Sequence, residues 1–269
     1  MGTKAQILLV MRFLLLLWLP IFATAAAADN AAGRYVNAHD YRAFWLWSGV
    51  WPQPALQQAD LLYLHQGEIV NGRQGARFLK LGLPLSKLQA PAIWITVRVA
   101  TLDMSDEVLA SAVRMPARWA AAGNRVVGLQ IDFDAATYQL DKYSEFLDKL
   151  RGRLPKEYAL GVTGLLDWAK TGNVSQLNAL PIDELVIQTY QGRRTVTEYE
   201  RYLPALLKLQ IPFKIGLVQQ GDWNSEWQRR LATSPYYRGE VVFLLNTIRK
   251  TSLGDNNDLL YGQSGQNPV

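Results

Sequence analysis

The chain has no cysteine. That excludes a disulfide framework, a lipid anchor on a thiol and thiolate chemistry. Histidine is almost as scarce, with only His39 and His65, so a histidine-rich metal site is not expected. No glycine-rich turn follows an early strand, which removes the usual phosphate cradle of nucleotide binders. No basic block is interleaved with aromatics, and nucleic acid is not an expected partner. Beyond Phe22 no segment is apolar enough to span a bilayer, which takes roughly 20 apolar residues. No cofactor is expected. A chain of 269 residues is long enough to bury a core without cross-links.

What is present begins with a leader pattern. Lys4 and Arg12 precede an apolar run from Phe13 to Phe22, followed by Ala23-Thr24-Ala25. A charged region, an apolar stretch and small residues in that order read as a secretory signal peptide. An uncleaved membrane anchor is the alternative, and the run is short for one. The expected division is a signal peptide over 1–28, one domain over 29–251 and a mobile tail over 252–269, rich in Gly, Asn and Gln. The expected location is therefore outside the cytoplasm, periplasmic or secreted, with no stable membrane span after cleavage. The formal charge of +5 includes Lys4 and Arg12, so cleavage leaves +3. That mild excess suits an anionic cell-surface environment.

Eight apolar, β-rich runs follow: Ala43–Trp47, Asp60–His65, Ala92–Val99, Val126–Phe133, Tyr158–Thr163, Glu184–Tyr190, Phe213–Val218 and Val241–Asn246. Helical spacing separates most of them. Leu140, Tyr143, Phe146, Leu147, Leu150 and Leu154 mark the clearest helix, closed by Gly152 and Pro155. Val108, Leu109, Ala112 and Val113 mark another, which Pro116 breaks or kinks. Tyr199 to Leu207 and Trp223 to Leu231 suggest two more. Glu68-Ile69-Val70, a turn at Asn71-Gly72 and Ala76 to Leu79 read as a small β-hairpin before the third strand. The whole predicts a single-domain (β/α)₈ TIM-barrel-like α/β fold with that hairpin inserted. An open doubly wound sheet is the alternative.

The fourth run carries the chemistry. Side chains alternate along a strand, so Gln130, Asp132 and Asp134 share one face. Two acids on one face at the carboxyl end of a buried strand are costly unless they are used. In parallel barrels that end is where active sites lie. Other strand ends would add Arg98, Gln188, Tyr190, Glu68 and Asn246, with Trp168 and Trp223 as flat platforms. Such a mouth suits sugars. Glycoside cleavage needs an acid on the leaving oxygen and a second negative group near the anomeric carbon. Two neighbouring carboxylates can divide those roles because repulsion keeps one protonated.

Gly128-Leu129-Gln130-Ile131-Asp132-Phe133-Asp134 resembles the fourth-strand signature of chitinase-type glycoside hydrolases, which alternates Asp-x-Asp-x-Glu. Ile187-Gln188-Thr189-Tyr190 resembles their sixth-strand Met-x-Tyr segment. More closely, most of the chain is similar to an exported bacterial family defined as a domain of unknown function. That likeness rests on Phe44-Trp45-Leu46-Trp47, Leu129 to Asp134, and the helix Tyr143 to Leu154 followed by Leu160-Gly161-Val162-Thr163. The chitinase resemblance implies Asp134 as general acid. It implies Asp132 as the group orienting a substrate acetamide that attacks the anomeric carbon, and Tyr190 as its carbonyl partner. Gln130 stands in place of the signature's first acid. Asp134 stands in place of Glu and is about 1.5 Å shorter in reach.

Each feature has a plainer reading. Asp132 and Asp134 could pair with Arg98 or cap the next helix, which opens at Thr137. Trp45 and Trp119 read as core, and His65 as a hydrogen-bonded interior group. The functional classes are then an exported barrel hydrolysing an amino-sugar or other surface polysaccharide, a non-catalytic carbohydrate-binding barrel, or an envelope assembly protein. The leader reading is testable by N-terminal sequencing of exported protein. The mature chain should begin between Ala26 and Asp29, and a form that keeps Phe13 to Phe22 would identify the run as an anchor.

Overall fold

The apolar runs become parallel strands because β-branched and aromatic residues alternate with residues that suit a barrel interior. In the computed structural model, which describes residues 35–171 and 174–246, the strands run in chain order. They are β1 (Ala43–Leu46), β2 (Leu61–Gly72), β3 (Gly75–Lys80), β4 (Ile93–Val99), β5 (Val126–Asp132), β6 (Ala159–Leu165), β7 (Glu184–Gln188), β8 (Tyr190–Gln191), β9 (Arg194–Thr195), β10 (Phe213–Val218) and β11 (Tyr237–Phe243). Eight of them pair in parallel in the order β1-β2-β4-β5-β6-β7-β10-β11, and β11 returns to β1. This is a closed (β/α)₈ barrel, as the sequence pattern predicts. The leader (1–28) and tail (252–269) expected from sequence lie outside the described residues.

The hairpin forms, with its turn moved. β2 runs on to Gly72, and β3 returns antiparallel to it, pairing Gly72 with Gly75. The two-residue turn is Arg73-Gln74, not Asn71-Gly72, and Gly75 takes the left-handed backbone (φ 102°) that the reversal requires. The sixth strand stops at Gln188, and Thr189 gives both its N–H and its hydroxyl to the Gly216 carbonyl at 2.9 Å. Tyr190 then enters a separate two-stranded hairpin, β8–β9. The eighth strand starts earlier than expected, at Tyr237, where it pairs with Phe213. Pro116 and Pro204 each sit at the start of a short helix, where the missing N–H is harmless. The last helix is Glu226–Leu231 and leaves Trp223 outside it.

Two layers of core follow from strand alternation. Outward residues such as Ile93, Ile95, Val97, Leu129 and Ile131 pack with the helices in one large cluster. Inward residues Trp45, Tyr63, Trp94, Val186, Val241 and Phe243 form a second, inside the barrel. Trp94 lies against two glycines on the neighbouring strands. A Cβ on Gly128 would sit 2.8 Å from the Trp94 ring and would strike the Ala159 carbonyl oxygen, and one on Gly161 would sit 3.1 Å from the ring. Tyr63 stacks on Trp94 and donates to the buried Glu184 at 2.5 Å.

Gly128→Ala should therefore destabilise the fold by about 1–3 kcal/mol or more through overpacking. Urea unfolding checks this. The midpoint should fall with an unchanged m-value, and an unchanged midpoint would show that the Ala159 strand yields freely.

Candidate functional site

Because every barrel strand is parallel, the carboxyl ends of all eight open on one face. β5 ends there at Asp132, with Asp134 two residues beyond. Register aligns Thr96 with Gln130 and Arg98 with Asp132, so these four inward positions stand on adjacent strands. Gln130 is fully buried. Its Oε1 accepts from Trp45 Nε1 at 2.8 Å and from Thr96 Oγ1 at 3.5 Å, and its Nε2 is buried without a partner. The amide is thus tied to the interior and turned from the mouth.

Asp132 is 4% exposed. Its Oδ1 accepts from Thr163 Oγ1 at 2.5 Å and from Gln188 Nε2 at 3.2 Å. Burial raises its carboxyl from 3.8 to about 6. The Thr163 hydrogen bond opposes that rise, the Asp134 charge adds to it, and Arg98 and Gln188 oppose it again. Neither acid is spent on a helix cap, and Arg98 forms no ion pair among the described residues. Arg98 is exposed and acts on Asp132 through space.

Asp134 is exposed and faces a cavity of about 530 Å³. Asp167, Gln188, Tyr190, Gly192 and Tyr202 line the same space, with Leu165, Leu166 and Val196 as its apolar wall. The Tyr190 ring packs on Phe243, and its hydroxyl is buried without a hydrogen-bond partner. Burial, and then the charges of Asp132 and Asp134, push that hydroxyl well above its ordinary value. The three residues thus share one electrostatic environment, and only Asp134 and Tyr190 line the cavity.

Other sequence-predicted residues are placed differently. Trp168 is fully buried, donates from Nε1 to the Ala135 carbonyl at 2.8 Å and meets Tyr143 edge-on. It is core, not a platform, because the chain turns outward into a helix directly after β6. Trp223 is 2% exposed and stacks on Tyr199. It lines a different cavity, of about 550 Å³, beside the starts of β1 and β2, so it is no platform for Asp134 either. Asn246 spends its side chain on the loop after β1, donating to Gly49 O and accepting from Trp51 N, both at 2.9 Å. Glu68 is partly exposed, 3.7 Å from His65 Nε2. Trp45 and Trp119 are core, as expected.

Sequence reasoning passed over Thr163, whose inward position on β6 follows from the same alternation that places Gly161. It also passed over Tyr202, which no strand pattern points to, and Trp51, which is 68% exposed. Among the described residues no group of three or more His, Asp or Glu could hold a metal ion, and no helix is long and apolar enough to cross a membrane.

The comparisons with known proteins bear on the β4–β9 half of this mouth. Residues 90–196 match the family described as Domain of unknown function (DUF3142). The segment contains Arg98, Gln130, Asp132, Asp134, Gln188 and Tyr190, so the resemblance read from Leu129 to Asp134 and from Tyr143 to Thr163 falls inside it. No protein with a curated description matches. Among solved structures, the spore cortex-lytic enzyme SleL of Bacillus cereus aligns with a TM-score of 0.40 and 16% identity. The alignment covers 65% of this chain and 50% of that one, so the chain spans half the length of that structure.

The electrostatics of Asp132 make a stability prediction. An acid whose folded value lies above its unfolded one holds its proton more tightly when folded. Stability from that proton is present below about pH 4 and is lost as pH rises through about 6. Asp132→Asn removes the ionisation cost while keeping an acceptor for Thr163. The variant should be more stable than the parent at pH 8, by up to about 3 kcal/mol, and the gain should vanish near pH 4. Thermal unfolding at the two pH values measures it. Equal melting at pH 8 would mean that Asp132 ionises without cost.

Proposed function

We propose that the protein is a glycoside hydrolase-like barrel that acts outside the cytoplasm on an amino-sugar or other cell-surface polysaccharide. The observation that carries this reading is the placing of Asp134 and the unpartnered Tyr190 hydroxyl on one cavity, with buried Asp132 behind them. Asp134, facing solvent, protonates the leaving oxygen. Asp132 stands near protonation equilibrium in mildly acidic solution and balances the positive charge that develops at the anomeric carbon. Tyr190 donates its free hydroxyl to the acetamido carbonyl, which serves as internal nucleophile, one of the recognised exceptions to the two-carboxylate scheme. Gln188 holds Asp132, and Arg98 offers charge at the rim. Trp168 and Trp223 take no part.

A non-catalytic carbohydrate-binding barrel is the second reading. It is favoured by Gln130, whose amide is tied to Trp45 where the related signature has an acid. It is favoured too by the short reach of Asp134, since a misplacement of this order can cost about 10²-fold in rate. Under that reading sugars bind and are not turned over.

A panel of oligosaccharides, with released reducing ends as readout, separates the two. With a substrate in hand, Asp134→Asn should lower kcat by about 10²–10⁴-fold while leaving folding and sugar affinity nearly intact. Asp132→Asn should slow turnover as well. Tyr190→Phe should lower rate more than affinity, because the hydroxyl acts mainly in the transition state. Wild-type turnover by Asp134→Asn would displace the acid role to Glu68, Asp167 or Asp222.

A further inference from the structure

The same barrel face carries an arrangement that the carbohydrate reading leaves unused. In an unbroken β2, alternation would set His65 and Gly67 on one face and Glu68 on the other. The pairing of β2 with β4 slips between His65 and Gly67, so Gln66 is an extra residue. A bulge of this kind re-aims the side chains beyond it. Here it brings Glu68 onto the inner face with His65, opposite Arg98. His65 Nε2 then lies 3.7 Å from Glu68 Oε1. On the far side of the ring, Nδ1 lies 3.0 Å from Ser48 Oγ and accepts the Ser48 backbone N–H at 3.4 Å.

The contacts favour one tautomer. Nδ1 accepts a backbone N–H, so it carries a lone pair and the ring proton sits on Nε2, toward Glu68. The Ser48 hydroxyl can then only donate to Nδ1. Nucleophile, base and orienting carboxylate thus stand in series. Satisfying a buried histidine would account for the Ser48 contact alone. It leaves unexplained why Nε2 is buried with no hydrogen-bond partner while a carboxylate stands within reach. Catalytic hydrogen bonds are often long before substrate binds.

From this geometry we infer that Ser48, His65 and Glu68 form a second hydrolytic centre, with Ser48 as nucleophile toward a carboxylic ester such as an O-acyl group on a carbohydrate. The inference does not rest on the glycosidic reading, since its nucleophile and base, Ser48 and His65, take no part there and it cleaves another bond. Ser48 is half-buried in the turn that follows β1. Gly49, next in the chain, takes φ 84° and has open space where a Cβ would lie, so the approach beside Ser48 is clear. Trp47 packs edge-on against His65, and Trp45 stacks on it. Burial, and then the Arg98 charge, lower the imidazole to about 4 against a raising backbone interaction with Gly67. His65 is therefore a neutral base at physiological pH.

In the reaction Ser48 Oγ attacks the carbonyl carbon and its proton passes to His65 Nδ1. The tetrahedral adduct collapses, the bond to the alcohol oxygen breaks, and Nδ1 returns the proton to that oxygen. Water then attacks the acyl-serine and gives a proton to Nδ1, which passes it to the departing Ser48 oxygen. One ester and one water yield one alcohol and one carboxylic acid. Glu68 positions the ring and balances the imidazolium formed in each half.

The test uses the full chain, an alkyl fluorophosphonate probe and 4-nitrophenyl acetate. Peptide mapping should find the phosphonyl group on Ser48, with no variant needed. Ser48→Ala should abolish labelling and lower ester turnover by about 10²–10⁴-fold. Glu68→Gln, at a partly exposed position, should lower kcat at least about 10-fold with little change in KM, and Glu68→Asp should recover part of it. Labelling should fall on acidification through about pH 4, as His65 takes up its proton. No phosphonyl group on Ser48 overturns the inference. So does turnover unchanged in Ser48→Ala, or labelling that is indifferent to Glu68→Gln.

Discussion

Trp94 can fill the barrel axis only because Gly128 and Gly161 have no side chain. Those glycines sit at inward positions of β5 and β6, where the indole would otherwise meet two Cβ atoms. An eight-stranded barrel has an interior just wide enough for side chains to fill, so one large ring needs small neighbours. Trp45, Tyr63, Val186, Val241 and Phe243 complete the same inner cluster. This apolar plug closes the middle of the barrel, and the buried Gln130 is tied directly to its Trp45. Glu184 and the Tyr63 hydroxyl lie toward the strand starts. Gln130, Asp132, Thr163 and His65 lie toward the carboxyl mouth.

The plug also sets the electrostatics of the mouth. Asp132 lies one inward step beyond the buried Gln130, whose amide is tied to Trp45 of the plug, and is out of water, which explains why desolvation dominates its titration even with two donors on one oxygen. Asp134, two residues on, has left the barrel and stands in solvent. A pair of identical side chains two residues apart is thereby split into a buried member and an exposed member. The difference arises from depth along the strand, not from sequence context.

Much of the fold was legible because its determinants are local. The alternation of Val126 to Asp132 and the 3.6-residue spacing of Leu140 to Leu150 need no tertiary information, and both elements form as read. The apolar plug was half legible: Trp45 reads as core, while the need for Gly128 and Gly161 appears only when strands are set side by side. The placement of Asp132 at the mouth follows from counting inward positions, while Asp134 and Tyr190 stand beyond the ends of their strands. What failed depends on long-range geometry. Trp168 and Trp223 follow strand ends in sequence, yet the chain turns them into the layer beneath the helices or toward the opposite end. The bulge at Gln66 leaves no mark in composition, so nothing in the sequence paired Glu68 with His65. The last strand ends at Phe243, so Asn246 lies beyond it and is taken up by the loop after β1.

That use of Asn246 has a further consequence. The seam between first and last strands is registered over only two pairs, Phe44 with Val242 and Trp45 with Phe243. Beyond it the closure is made by side-chain amides. Asn246 holds Gly49 and Trp51, Gln53 donates to Leu245 O at 2.8 Å, and Gln219 joins Gln53 at 2.7 Å. Amides neither gain nor lose protons in water. As acidity changes, the carboxylates of the mouth alter their charge while the clasp that sets its aperture keeps the same strength, so the rim's potential can vary at constant shape.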